Sequence, residues 1–109
     1  MLEPILGNST IEKVLFFLLT YGEGYAKQMS DTFGISINGI QQQLRKLEEG
    51  GVLVSQLKGK TRIFTFNPNY AFLSELKNLL SKAMKMIPVK DVELYYRKRT
   101  RPRKTGKPL

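Results

Sequence analysis

The stretch FGISINGIQQQLRKLEEGGVL, residues 33–53, carries three consecutive glutamines inside a segment with the apolar spacing of a helix. Its apolar residues recur at intervals of three, four and three, which places them within one arc at about 100° per residue: Ile37, Ile40, Leu44 and Leu47. Ser36 is a preferred N-cap residue, and the Gly50-Gly51 pair makes further helix costly. The sequence therefore predicts a helix from Ile37 to about Glu49.

The polar side of this predicted helix raises the question of what it contacts. Gln42 is expected to point fully outward, whereas Gln41 and Gln43 border the apolar stripe. Glu48 and Glu49 are expected at the far end of the helix, away from the side that would meet a partner. An exposed face of this composition is usually a solvated surface, so the neighbouring segments must decide between a solvated face and a binding face.

Two helices are predicted before this stretch. The run Ser9-Thr10-Ile11-Glu12 has the form of a capping box, in which the Ser9 and Glu12 side chains each bond the other's backbone N–H. An apolar stripe follows, and the two glycines within residues 21–24 end the helix. A second, shorter helix fits residues 26–33. Gly34 ends it because a residue without a Cβ adopts the left-handed conformation at little cost.

After the stretch, the apolar pattern changes to that of strands. Residues 52–57 and 62–66 are β-branched and aromatic runs, and a basic turn, Lys58-Gly59-Lys60-Thr61, lies between them. This arrangement predicts a hairpin with a basic tip. A last helix is expected from about Tyr70 to Lys85, before Pro88. The expected fold is mainly α with a small β-hairpin (α+β), in which a three-helix core is followed by the hairpin and a C-terminal helix.

The composition excludes several classes of function. The chain has 109 residues, the size of one domain, and contains no cysteine and no histidine. Disulfides, thiolate or imidazole metal sites, cysteine nucleophiles and Ser-His-Asp triads are therefore ruled out. No phosphate-binding glycine motif occurs, so no enzyme, cofactor or metal site is expected. The longest apolar run, residues 14–19, is far below the roughly 20 residues that span a bilayer, which favours a cytoplasmic protein without a membrane partner.

Positive charge dominates the chain, with 18 Lys and Arg against 9 Asp and Glu and a net charge of +9. Such a balance favours an anionic partner, above all nucleic acid. Residues 88–109 hold eight of the basic residues and only two acids. The expected organisation is a folded unit at 1–87, with its C-terminal helix at 70–86, and a basic, flexible tail at 88–109. The tail could bind DNA phosphates or RNA, or only aid solubility, and Tyr95 and Tyr96 are candidates for stacking on bases.

The order of helices, turn and hairpin resembles a winged helix-turn-helix of the ArsR/MarR-like type, found in prokaryotic transcriptional regulators. The resemblance covers roughly residues 9–86. It rests on the turn at 33–36, the spacing of Ile40, Leu44 and Leu47, the phrase at 47–53 and the hairpin. The resemblance implies sequence-specific binding of double-stranded DNA, with the helix at 37–49 in the major groove and the wing at 52–66 on the backbone.

The resemblance assigns DNA-binding candidates to this helix and to the wing. They are Ser36, Asn38, Gly39, Gln41, Gln42, Arg45, Lys46, Lys58, Lys60 and Arg62. The chemistry of these residues suits the task, because Gln and Asn pair bidentately with adenine, Arg pairs with guanine and Lys neutralises phosphate. Gly39 would allow the helix to approach DNA closely.

The resemblance also implies a homodimer formed through the C-terminal helix, whose apolar face is wider than one small domain needs. The candidate interface residues are Phe72, Leu73, Leu76, Leu80 and Met84. In the alternative, that helix closes the chain's own core. The alternative function is a winged-helix module that binds a protein partner, with a tail that binds RNA or binds without specificity. The sequence identifies no small-molecule effector.

Overall fold

The computed structural model describes residues 1–96, which fold into helices around an antiparallel hairpin. The elements are α1 (Glu3–Leu6), α2 (Ser9–Tyr21), α3 (Ala26–Phe33), α4 (Ile37–Glu49), β1 (Leu53–Lys58), β2 (Thr61–Phe66), α5 (Leu73–Met84) and α6 (Val89–Tyr95). This order confirms the predicted α+β class. Within residues 1–96, every helix is too short or too polar to cross a bilayer. The predictions for the segment from Arg97 onward lie outside the described residues.

α2 is the centre of the core. Its buried side chains include a consecutive run: Val14, Leu15, Phe16, Phe17 and Leu18. Such a run is buried on all sides because α1, α3, α4 and α5 pack around α2. Ile40 and Leu44 of α4 join the same cluster, as does Leu80 of α5. The core therefore holds α4 against α2 by its apolar stripe and leaves the polar side of α4 in solvent.

α2 begins differently from the prediction. Asn8 is its N-cap, and Asn8 Oδ1 accepts the Ile11 backbone N–H at 2.8 Å. Ser9 is the first helical residue, and Glu12 Oε1 accepts the Leu2 backbone N–H at 3.0 Å. The predicted capping box is therefore wrong. Asn8 supplies the cap one residue earlier, and the Glu12 carboxylate instead holds the N-terminal segment against α2.

The turn between α3 and α4 follows the prediction. Gly34 has a φ of 68°, in the left-handed region, and its N–H donates to the Ser30 carbonyl at 2.9 Å. The Ser30 hydroxyl donates to the Ile35 carbonyl at 2.5 Å. Ser36 caps α4, its Oγ accepting the Gly39 N–H at 3.1 Å. These bonds fix the start of α4 relative to α3.

The hairpin is joined to the helices at a point that the sequence pattern does not reveal. β1 and β2 pair along their full length. At the other edge of β2, Phe64 exchanges two backbone hydrogen bonds with Gly24, at 2.8 and 3.1 Å. A Cβ on Gly24 would lie 2.7 Å from Phe17 Cε1, closer than a side chain tolerates without movement. The bridge therefore ties the hairpin to the α2–α3 connection, and glycine permits it.

α5 packs on the core with the face that was predicted to form a dimer. The helix begins at Leu73, three residues after the predicted start, because residues 71–72 lie in a turn. Leu80 is 0% exposed. Leu73, Leu76 and Met84 are half-buried against the core, whereas Phe72 is 64% exposed. In the single chain this face largely closes the core, as the alternative had it, and Leu80 has no surface left for a partner.

The fold continues past Pro88, where the tail was expected to begin. Val89–Tyr95 form α6, and Tyr96 after it is buried. The Tyr96 ring centroid lies 5.6 Å from that of Phe16 and 5.9 Å from that of Phe33. Burial also raises the pKa of the Tyr96 hydroxyl well above its usual value. Tyr96 is therefore not available to stack on bases, and residues 89–96 belong to the folded unit because the Tyr95 and Tyr96 rings pack on α2 and α3.

Candidate nucleic-acid interface

α4 and the hairpin enclose an open cleft of about 670 Å³, which we call the α4–hairpin cleft. Its floor includes the buried side chains of Leu44 and Phe64. Its charged and amide side chains come from α3, α4 and the hairpin: Lys27, Gln41, Arg45, Glu48, Lys60 and Arg62. Four of these six are cations and one is a carboxylate, so the cleft is electropositive.

Four of the predicted DNA-binding residues meet in this cleft: Gln41, Arg45, Lys60 and Arg62. All four are exposed. Gln41 and Arg45 share a face of α4 because residues four apart are neighbours on a helix. Lys60 and Arg62 reach the same space from the hairpin. The fold thus assembles, from two separate elements, an amide and three cations on one accessible surface.

The other predicted residues of α4 and the hairpin tip lie outside the cleft. Asn38, Gln42 and Lys46 are exposed on α4 but do not line it. Lys58 lies on the opposite face of the hairpin, beside Gln56. Successive strand residues alternate between faces, so the basic tip presents positive charge on both sides of the hairpin.

Two of the candidates have a local structural role. Ser36 is the N-cap of α4, and Gly39 donates the N–H that it accepts. A Cβ built on Gly39 would lie 3.2 Å from Ser36 Oγ, a tight contact. The glycine thus leaves room for the cap. Capping alone therefore accounts for both residues, although Ser36 is exposed as well.

The three glutamines have three different surroundings. Gln43 is half-buried, and its Oε1 accepts a hydrogen bond from Asn8 Nδ2 at 3.3 Å. This contact joins α4 to the N-cap of α2. Gln41 lines the α4–hairpin cleft, and Gln42 is exposed on the outward side of α4, as predicted. Gln41 and Gln42 are therefore available to a partner, and Gln43 serves the packing of the helices.

Glu48 and Ser55 form a connection that the sequence interpretation missed. Ser55 Oγ donates to Glu48 Oε2 at 2.6 Å and accepts from Arg62 Nη1 at 2.9 Å. Glu48 therefore faces the hairpin, which corrects the expectation that it lies away from the cleft. The helical spacing could have predicted this position, because Glu48 follows Gln41 by seven residues and so lies on the same face of α4. The position of Ser55 depends on the hairpin register.

Acidic side chains near the cleft offset only part of its charge. Lys27 forms an ion pair with Asp31 one turn later on α3, at 2.8 Å. Glu48 contacts the serine hydroxyl and lies among the remaining cations. Within residues 1–96, no group of three or more acidic side chains is placed to hold a metal ion.

No model of a known protein family matches the chain, and no curated protein matches it either. A solved structure does: the adhesin competence repressor (AdcR) from Streptococcus pyogenes, with a TM-score of 0.50 and 10% sequence identity. The match covers 77% of this chain and 71% of that one. At this identity the likeness is one of fold. The described part of the chain is therefore a winged helix-turn-helix, of which α3 and α4 are the helix-turn-helix and β1 and β2 the wing.

Proposed function

We propose that the protein is a transcriptional regulator of the ArsR/MarR-like type that binds double-stranded DNA at specific sequences. In this proposal α4 enters the major groove and the wing lies on the backbone. The observation that carries it is the α4–hairpin cleft, where Gln41 and Arg45 share one electropositive surface with Lys60 and Arg62. If the polar face of α4 were only a solvated surface, its side chains would not need to share a cleft with cations of the wing.

The exposed side chains of α4 have the chemistry of base recognition. Gln41, Gln42 and Asn38 can each pair bidentately with adenine N6 and N7, and Arg45 with guanine O6 and N7. The B-DNA major groove, about 12 Å wide, admits one α-helix. Since α4 is packed on the core by its opposite side, its polar side can enter the groove without disturbing the fold.

Backbone contacts come from the cations around α4 and the wing. Lys46 at the outer side of α4 and Lys60 in the cleft are placed to meet phosphates. Lys58, on the other face of the wing, allows the tip to neutralise phosphates on both of its sides. Such contacts are independent of sequence and weaken as salt rises.

We propose further that two copies bind one site. Phe72, Met86 and Val89 are 64%, 68% and 72% exposed, and a second copy that covers them would bury apolar surface left by the single chain. A two-fold dimer would set two α4 helices roughly 34 Å apart, one turn of DNA. This interface shares only Phe72 with the predicted one, because Leu73, Leu76, Leu80 and Met84 pack on the core.

Residues 97–109 form a strongly basic segment of the sequence. They hold seven basic residues and no acid. The described chain ends at Tyr96, whose ring packs on Phe33, three residues before the N-cap of α4. The segment therefore follows a residue that lies close to the helix-turn-helix, and we propose that it binds DNA phosphates.

The experiment is a titration of the protein with random duplex DNA and with duplexes selected from a genomic pool, at low and moderate salt. We expect Gln42→Ala/Arg45→Ala to weaken binding of the selected duplexes by about 10- to 100-fold, the cost of one or two lost base contacts. The control is Asn78→Ala/Lys82→Ala, which removes an amide and a cation from the exposed side of α5. Sedimentation of the complex should give two chains for each site.

Other outcomes would contradict the proposal in distinct ways. Tight, steeply salt-dependent binding to every duplex, unchanged by Gln42→Ala/Arg45→Ala, would mean that the protein is a polycation and that α4 reads no sequence. Failure to bind any duplex would leave the winged-helix module for protein partners as the better interpretation.

A further inference from the structure

Glu48 is the acidic residue among those that line the α4–hairpin cleft in the described part of the chain. A carboxylate on a surface that meets phosphates opposes binding, because like charges repel. Glu49, the next residue, is exposed but does not line the cleft. The presence of the Glu48 carboxylate in the cleft therefore needs an explanation other than the general polarity of the α4 C-terminus.

Ser55 connects Glu48 to a cation of the wing. A hydroxyl has one hydrogen to donate and two lone pairs to accept. Ser55 uses both capacities, donating to Glu48 Oε2 at 2.6 Å and accepting from Arg62 Nη1 at 2.9 Å. Hydrogen bonds with an ionised partner are short and strong. Ser55 is half-buried, and both of its bonds lie at the exposed surface. We call these three residues the Glu48–Ser55–Arg62 relay.

The relay joins α4 to both strands of the wing. Glu48 is on α4, Ser55 on β1 and Arg62 on β2. The contact orients the Arg62 guanidinium toward Ser55 and links the wing to the C-terminal part of α4. A base edge in the major groove and a phosphate under the wing would then be met in the geometry that this contact favours.

We propose that Glu48 is a specificity-determining residue of the DNA-binding surface and that Ser55 is a positioning residue that acts through Arg62. The proposal rests on the proposed function. The Glu48 charge lowers the affinity for any duplex, and the relay restores affinity only where the DNA fits the fixed wing. The protein then discriminates between sequences by a larger ratio than a purely cationic cleft would allow.

Glu48→Gln separates the charge from the hydrogen bond, because glutamine retains an oxygen that accepts from Ser55. We expect the variant to bind random duplex more tightly at low salt. The slope of log K against log salt should steepen by up to about 0.9, the effect of one additional net phosphate contact. Affinity for selected duplex should change less, so the ratio of the two affinities should fall. Glu49→Gln is the matched control, since it removes the same charge one residue away and should leave that ratio unchanged.

Ser55→Ala tests the positioning role. We expect it to weaken binding of selected duplex by about 3- to 10-fold, the worth of one hydrogen bond, while random duplex binds as before. Ser55→Thr, which keeps the hydroxyl, should restore the affinity. In an Arg62→Ala background, Ser55→Ala should have no further effect, an outcome that a purely structural role of Ser55 would not produce. Urea denaturation of each variant confirms that the fold is kept.

Three results would overturn the inference. Equal effects of Glu48→Gln and Glu49→Gln on the affinity ratio would show that the Glu48 charge has no special place. An equal loss for random and selected duplex in Ser55→Ala, or the same loss without Arg62, would show that Ser55 only supports the fold. If the wild-type protein binds no duplex at all, the proposed function fails, and this inference fails with it.

Discussion

α4 and α5 are helices of similar length, with 13 and 12 residues, and each packs an apolar side on the same core, yet they are held in different ways. α4 has a side-chain cap at Ser36, a contact with α2 through Gln43 and a contact with the wing through Glu48. α5 starts after Phe72, which makes no side-chain cap bond. Its polar side-chain contacts in residues 1–96 are a local one between Ser74 and Glu75 and the ammonium of Lys77 over the Phe66 ring.

The comparison indicates which of the two helices has an orientation that is set by directional contacts. Hydrogen bonds are directional, whereas apolar contacts depend mainly on the area removed from water. Besides its local cap, α4 is held by polar groups of neighbouring elements at its middle and at its end, so rotation about its axis would break both contacts. α5 is held by Leu80 and Ala83 and their half-buried neighbours. A helix that must present side chains in a defined direction needs the first arrangement, and a helix that closes a core needs only the second.

The largest expected effect comes from truncating the buried contact of α5. Leu80→Ala should lower the free energy of unfolding by about 2 to 5 kcal/mol, because it removes fully buried methyl groups and leaves a cavity. Phe72→Ala, at the exposed N-cap position of the same helix, should cost less than about 0.5 kcal/mol in the single chain. Urea denaturation measures both.

The protein concentration distinguishes a core residue from an interface residue. If Leu80 acts in the core, the loss in stability is the same at every protein concentration. A loss that grows on dilution would mean that Leu80 contributes to association, and it would remove the contrast between the two helices.

The cap of α4 gives the next effect. Ser36→Ala should lower the free energy of unfolding by about 1 kcal/mol, since the Gly39 N–H loses its acceptor. Ser36→Asp should keep wild-type stability, because aspartate caps as well as serine and favours the positive end of the helix dipole. The same aspartate should weaken DNA binding by repelling phosphate. Urea denaturation and the duplex titration separate the two roles, and wild-type DNA affinity in Ser36→Asp would show that the start of α4 does not approach DNA.

The local features of α4 could be predicted from the sequence, whereas its long-range contacts could not. The helix, the Ser36 cap and the left-handed Gly34 depend on a few consecutive residues, and the structure shows each of them. The bridge between Gly24 and Phe64 joins residues that are far apart in the chain, and the periodicity of the sequence does not predict it. Register and packing decide such contacts, since a strand's side chains are assigned to a face only when its partner is known.

The same distinction applies to two later segments of the chain. The wide apolar face of the last predicted helix was compatible with a core or with a dimer, and only packing places Leu80 at 0% exposure. The basic composition after Pro88 suggested a tail, although Tyr96 packs on Phe16. In both segments the composition was informative, but the partner of the apolar side chains lies elsewhere in the sequence.

The smallest effect tests the glutamines themselves. Gln43→Ala should lower the free energy of unfolding by about 0.5 to 1 kcal/mol, because it removes the partially buried contact with Asn8. Gln42→Ala, at the exposed neighbouring position, is the matched control and should leave stability unchanged while weakening binding of selected duplex. Gln43→Ala should in turn leave the affinity ratio for selected and random duplex nearly unchanged. If the two variants behaved equally in both measurements, the two glutamines would be interchangeable. Gln43 would then not be a packing residue, and Gln42 would not be a DNA-contacting one.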